Sequence, residues 1–176
     1  MKLYVARHGQ TEWNLLNKVC GRTDLPLTEL GLEQAETLAL GTKELAIDRI
    51  ISSPMLRARQ TAAPTARELG IAVEVDDRLI EQDYGIYEGI SRFDEGFLGN
   101  KRQFAFRYPG GESMMDVAYR VYSLLEELKR DGNSKGILLV CHGGVCRVIR
   151  TYFEDMTNEA YFHYSEENCA VKEYDL

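Results

Sequence analysis

The sequence predicts a three-layer α/β/α sandwich around a mainly parallel central sheet, with an edge strand at the C-terminus. Three observations carry this. Short β-branched and aliphatic runs alternate with longer segments whose apolar residues recur at helical spacing. One run, Ile137 to Cys141, is apolar throughout, as at the buried centre of a parallel sheet. The chain has 176 residues, 44% of them hydrophobic and 28% charged, which suits one domain over 1–176 with a single core. No repeat, low-complexity tract or Pro/Gly/Ser-rich linker divides it.

Each element follows from local pattern. Lys2 to Arg7, rich in Val, Leu and Tyr, reads as a strand running into the loop His8-Gly9-Gln10. Thr28 caps a helix over roughly 29–45 whose apolar positions are Leu32, Ala35, Leu38, Ala39 and Leu45. Arg49 to Ser52 is a second strand. Ser53 is then read as a cap, with Pro54 at the first helical position and an apolar stripe of Met55, Ala58, Ala62, Ala66 and Leu69 before Gly70. Ile71 to Val75 is a third strand. Residues 76–111, glycine-rich and mixed aromatic and charged, form a long excursion expected to cover the active site, with one short helix near Lys101 to Arg107. Ser113 and Asp116 start a helix that buries Met114, Val117, Val121, Leu124, Leu125 and Leu128 and leaves Glu126, Glu127, Lys129 and Arg130 in water. After the central strand, a helix runs from Gly143 to about Phe153, and Cys169 to Tyr174 is the edge strand.

Charge and composition exclude several roles. With 21 basic against 28 acidic residues the net charge is −7, so no global positive field holds a nucleic-acid backbone. No apolar run has the length of a membrane span or secretory core, and the expected location is the cytoplasm. The four cysteines, Cys20, Cys141, Cys146 and Cys169, are too scattered for a disulfide framework and are expected to be reduced. An acidic chain can still bind a small anion where a few Arg and His converge in a cleft.

In parallel α/β sheets, ligands bind beyond the carboxyl ends of the strands. The first strand ends in Arg7-His8-Gly9, the second leads through Ser52-Ser53-Pro54 to Arg57, and the central strand ends in Cys141-His142-Gly143-Gly144. Two of the three histidines and two arginines thus arrive at one sheet edge. The third histidine, His163, lies in an aromatic tract.

Six blocks in order resemble the histidine phosphatase superfamily, also called phosphoglycerate mutase-like. They are Arg7-His8-Gly9-Gln10-Thr11-Glu12-Trp13-Asn14; Asp24-Leu25-Pro26-Leu27-Thr28 with Gly31; Ser52-Ser53-Pro54 through Arg57 and Thr61-Ala62; Glu81 through Tyr84-Gly85 and Glu88-Gly89; Pro109-Gly110-Gly111-Glu112-Ser113; and His142-Gly143-Gly144. The resemblance spans nearly the whole chain, and it implies a phosphohistidine at His8.

Elementary chemistry gives each residue a role beside that resemblance. A neutral His8 nitrogen can attack phosphorus while its other N–H donates to a backbone carbonyl. Arg7 and Arg57 offer planar forks to the non-bridging phosphate oxygens. His142, protonated when phosphate is bound, completes the cradle beside the N-terminus of the helix starting near Gly144. Glu81 is the candidate general acid and base, protonating the leaving oxygen and later activating water. Asp76, Asp77, Asp83 and Glu88 compete for that role, and the resemblance to a Glu-x-x-Tyr-Gly block selects Glu81.

The resemblance also implies that Asn14, Cys20, Gly21, Arg22, Tyr84 and Gly143 contact phosphate or substrate. At Cys20 the chain departs from the Ser of related mutases and the Gln of many phosphatases, and a thiol is a weaker donor. Lys18 stands where Arg is common. Cys141, His142 and Cys146 are not read as a metal site, because strand alternation sends Cys141 away from His142 and no paired Cys or His spacing exists. No cofactor is expected, and the partner is a small phosphorylated substrate.

The function expected is a metal-independent phosphomonoester phosphatase working through phosphohistidine. One rival is a mutase, which in this family generally has a longer chain and an Arg after the catalytic carboxylate, where this chain has Gln82. Lys101, Arg102 and Arg107 keep an acidic substrate open. The other rival is a non-catalytic phospholigand-binding protein.

Overall fold

A computed structural model describes all 176 residues. Five strands form one sheet: β1 (Lys2–Arg7), β2 (Arg49–Ser52), β3 (Val73–Val75), β4 (Gly136–Cys141) and β5 (Val171–Asp175), in the spatial order β3-β2-β4-β1-β5. The β1–β4, β4–β2 and β2–β3 pairs are parallel, and β5 runs antiparallel on the edge of β1. The helices are α1 (Glu12–Leu15), α2 (Glu29–Thr42), α3 (Leu56–Leu69), α4 (Glu95–Lys101), α5 (Met114–Asp131), α6 (Gly143–Phe153) and α7 (Asn158–His163). None is long and apolar enough to cross a membrane.

The layers follow from strand alternation. Leu3, Val5, Ile137, Leu139 and Cys141 face α5 and α6, where Val117, Val121, Leu125 and Val145 are buried against them. Tyr4, Ala6, Leu138 and Val140 face the opposite way, onto Leu38 of α2 and Ala58 and Ala62 of α3. Every residue of β4 is buried, so its near-continuous apolar run is the sequence image of two covered faces.

Several expected boundaries move, each for a local reason. Pro54 precedes α3 and does not open it. The cap residue is Met55, and the acceptor for Leu56 N–H is the Asp24 carboxylate at 2.7 Å, brought from another segment. Gly70 adopts φ +67° and the Ile71 N–H still closes on the Ala66 carbonyl, which shortens β3. Helix α2 stops at Thr42, whose hydroxyl bonds back to the Leu38 and Ala39 carbonyls, and Leu32 lies on its exposed side. The helix expected at 101–107 is not there: residues 102–107 are turns and irregular chain, and the short helix of this segment is α4, seven residues that end at Lys101 and are started by Asp94 accepting from Phe97 N–H. Cys169 sits at φ +59°, outside the extended range, so β5 begins at Val171. Helices α1 and α7, at 4 and 6 residues, are too short for periodicity to reveal.

Candidate active site

The carboxyl ends of β1 and β4 open onto a cavity of about 310 Å³ that the segment between β3 and α5 also lines. His8 is held at its floor by the chain on both sides. Its N–H donates to the Cys141 carbonyl at 2.9 Å, extending the β1–β4 ladder, and its carbonyl accepts from Asn168 Nδ2 at 2.8 Å. Its ring Nδ1 lies 2.7 Å from the Gly9 carbonyl. A carbonyl only accepts, so the proton is on Nδ1 and the Nε2 lone pair is free. Burial first, then the Arg57 and Arg7 charges, hold the imidazole well below its ordinary pKa.

Glycine and threonine make this turn possible. A Cβ on Gly9 would lie 2.5 Å from the Gly31 carbonyl oxygen, so β1 and the start of α2 approach this closely only without a side chain. The Thr61 hydroxyl accepts from Gly9 N–H at 2.9 Å and donates to the Arg57 carbonyl at 2.7 Å, linking the His8 loop to α3.

Arg57, in the first turn of α3, is wholly buried and, like His142, does not itself line the cavity. Its guanidinium donates to Thr23 O and Gly21 O, each at 2.8 Å, and Nε donates to His142 Nδ1 at 3.2 Å. His142 Nδ1 is therefore an acceptor, and the ring proton is on Nε2, 2.7 Å from Ser53 Oγ. Burial and the Arg57, His8 and Arg7 neighbours keep His142 well below its ordinary pKa, so the ring here is neutral, in contrast to the protonated state expected with phosphate. Arg7 reaches the Glu166 carbonyl through one terminal nitrogen, while its buried Nε has no partner. An unpaired buried donor at a cavity wall marks where an anion's oxygen fits.

Glu81, nearly buried, faces the same cavity. Its Oε1 accepts from Gln82 N–H at 2.8 Å and its Oε2 from Gly144 N–H at 3.0 Å, so the amide at the start of α6 is given to this carboxylate. Its backbone is pinned by Arg22 Nε to Glu81 O at 2.9 Å, and its loop by Glu112, which accepts from Asp83 N–H and pairs with Arg120 and Arg22. A Cβ at position 144 would stand 2.5 Å from Glu81 Oε1. Gly144→Ala is therefore expected to displace the carboxylate and cut turnover by about 10²-fold, with an unchanged circular dichroism spectrum. Full activity in that variant would show that the position of Glu81 is unimportant.

The remaining expected contacts divide. Asn14, Cys20, Tyr84 and Gly143 line the cavity. The Cys20 thiol is pushed up to about 11, chiefly by burial, and stays protonated near neutrality. Gly21 and Arg22 point elsewhere: Glu88 accepts from the N–H groups of Gly21, Arg22 and Thr23, and Arg22 serves the Glu81 loop. Glu88, one of the competing carboxylates, is thus committed to that loop, and Asp76 pairs with Arg78. Cys141 and Cys146 lie in the core with sulfurs 3.5 Å apart. No group of three His, Cys, Asp or Glu is arranged to hold a metal ion.

Sequence reading missed Ser53 as the partner of His142, and it missed Arg92 and Arg147 as cavity residues. Helical position one turn into α6 was the available signal for Arg147, whereas Arg92 lies in a loop whose path no local pattern reveals.

A mainly parallel sandwich with two buried histidines and two arginines at one sheet edge defines the class, and the chain belongs to the histidine phosphatase superfamily (branch 1), whose family model matches residues 3–176. It is 37% identical over 150 residues, 81% of this chain and 70% of the relative, to a protein named "Probable phosphoglycerate mutase GpmB" from Escherichia coli O1:K1. Among solved structures, a mycobacterial glucosyl-3-phosphoglycerate phosphatase superimposes with TM-score 0.87 at 27% identity, over 98% of this chain and 88% of that one. A mutant phosphoserine phosphatase from Entamoeba histolytica in complex with phosphoserine gives TM-score 0.86 at 28% identity, over 98% and 89%.

Proposed function

We propose that the chain is a phosphomonoesterase that acts on a small phosphorylated metabolite through a phosphohistidine at His8, without a metal. The observation that carries this reading is the neutral His8 ring, anchored through Nδ1 with Nε2 free, in the cavity that Glu81 also lines. Nε2 attacks phosphorus, an N–P bond forms and the ester P–O bond breaks, with the Glu81 carboxyl giving its proton to the leaving oxygen. Water then attacks the phosphohistidine, Glu81 takes its proton, and inorganic phosphate leaves. Arg7 and Arg57 supply positive charge to the transferring group, Arg7 through its unpartnered Nε and Arg57 as the buried charge that acts on the His8 ring. His142, tied to Arg57 through Nδ1 and to Ser53 through Nε2, donates to phosphate only once the Arg57 Nε contact gives way, because a proton gained at Nδ1 would face that N–H.

The deciding experiment is inorganic phosphate release over a panel of phosphomonoesters, run with and without excess EDTA. Release that persists in EDTA is expected, because arginines and an imidazolium provide the charge a metal would supply. Complete loss in chelator, restored by Zn²⁺ or Mg²⁺, would sink the metal-independent mechanism. The mutase named among the relatives is the second reading. It requires the His8 phosphoryl group to return to another hydroxyl, so that isomerised ester and not inorganic phosphate accumulates.

A further inference from the structure

We propose that the open edge of β5, with a cavity beside it, takes up an extended segment of a partner protein as an added strand, one that carries an apolar side chain between basic ones. This cavity shares no lining residue with the one that His8 lines.

β5 is the last strand of the sheet and pairs only with β1. Met1 and Leu176 exchange bonds, Leu176 N–H to Met1 O at 3.0 Å and the Met1 ammonium to Leu176 O at 3.4 Å, which fixes the phase of the antiparallel ladder. Alternation then turns the N–H and C=O groups of Lys172 and Tyr174 toward β1. Those of Val171, Glu173 and Asp175 point outward, where no other backbone group meets them. With five residues β5 is a template for a further strand, whereas the opposite edge, β3, has only three.

Val171, Glu173 and Asp175 also present their side chains on the α2 face of the sheet, beside Ala6, Tyr4 and Lys2. There a cavity of about 460 Å³ opens between α2 and the chain leading into β5, with Leu38, Leu45 and Val171 among its walls. A strand bonded to the outward groups of β5 sends alternate side chains to this face, and an apolar one fills the cavity. Charge then selects its neighbours. Glu33 and Glu167 stand exposed on the rim, and Glu173 and Asp175 follow along the strand, sharing Lys2 between them. Four carboxylates against one ammonium favour a basic segment. They disfavour a second copy of this chain, because an antiparallel β5 centred on its twin would set Glu173 against its own counterpart.

Amide exchange followed by NMR on the full chain tests this. The probe is a short acetylated peptide with leucine between two lysines at alternate positions and threonines in the gaps. At millimolar peptide, exchange at Val171, Glu173 and Asp175 is expected to slow about tenfold or more, with Lys172 and Tyr174, already bonded to β1, unchanged. Glutamates in place of the lysines should weaken binding about tenfold, and the double variant Glu33→Lys with Glu167→Lys should bring the two peptides within about twofold of each other. Gly41 lines the cavity at a point where a Cβ meets open space, so Gly41→Phe fills it without disturbing the fold. That variant should bind the leucine peptide about tenfold more weakly. Unchanged exchange at the three outward amides, equal affinity for the lysine and glutamate peptides, or full affinity in Gly41→Phe overturns the site. So does protection of those amides in the free protein that grows with its own concentration, because a second copy would then hold the edge.

Discussion

Replacing His8 with alanine is expected to abolish phosphate release, with a loss of at least about 10³-fold, and to remove a phosphoryl label that the unmodified protein carries during turnover. The label should survive alkali and be lost in acid, as a phosphorus–imidazole nitrogen bond requires. The structure gives the reason for expecting an all-or-none effect. The ring is neutral, its Nδ1 proton is held by the Gly9 carbonyl, and no other nucleophile in the cavity is comparably prepared. Cys20 is the nearest rival by chemistry, and burial keeps its thiol protonated. Rapid-quench labelling followed by peptide mapping would decide the matter, and a phosphoryl group found on Cys20 or on a serine would overturn the assignment.

Glu81→Gln is expected to separate proton donation from mere support of the loop. An alkyl phosphate leaves as a strongly basic alkoxide and should slow by about 10²-fold or more, whereas an aryl phosphate with an acidic phenol barely needs the proton. The substitution carries a structural cost of its own. Each Glu81 oxygen accepts one backbone N–H, from Gln82 or from Gly144, and an amide offers only one acceptor. One N–H is left facing an NH₂ group, a penalty of about 1–3 kcal/mol. That penalty falls on both substrates alike, so the difference between them, measured in single-turnover phosphoryl transfer to His8, isolates the acid role. Equal losses would reject it and direct attention to Asp83, whose carboxylate accepts from Gly85 N–H in the same loop. Steady-state rates would mislead here, because water attack in the second step also calls on Glu81.

The layered fold was legible because strand and helix periodicities are local. Leu3 and Val5 against Tyr4 and Ala6 are already a two-faced strand on paper, and the structure buries each pair against a different helix layer. His8 and His142 were legible for a related reason: once two strands are recognised as parallel neighbours, the residues following them must emerge at the same edge. Short or irregular pieces were not. The cap of α3 comes from Asp24, 32 positions away in sequence, and no local pattern predicts an acceptor supplied by another segment.

By itself, then, the sequence determined the sandwich and the sheet edge to which the strand ends deliver His8, Arg7, Arg57 and His142. Tertiary structure alone decided how their polar atoms are spent. It sends the Arg57 fork to the Gly21 and Thr23 carbonyls, gives the Gly21 and Arg22 amides to Glu88, and leaves Arg7 Nε free. It also brings Arg92, Lys101 and Arg147 to one cavity from three separate elements. The physical reason is that a hydrogen-bond partner or a neighbouring charge is a property of position in space, which the folded chain sets through contacts between residues distant in sequence.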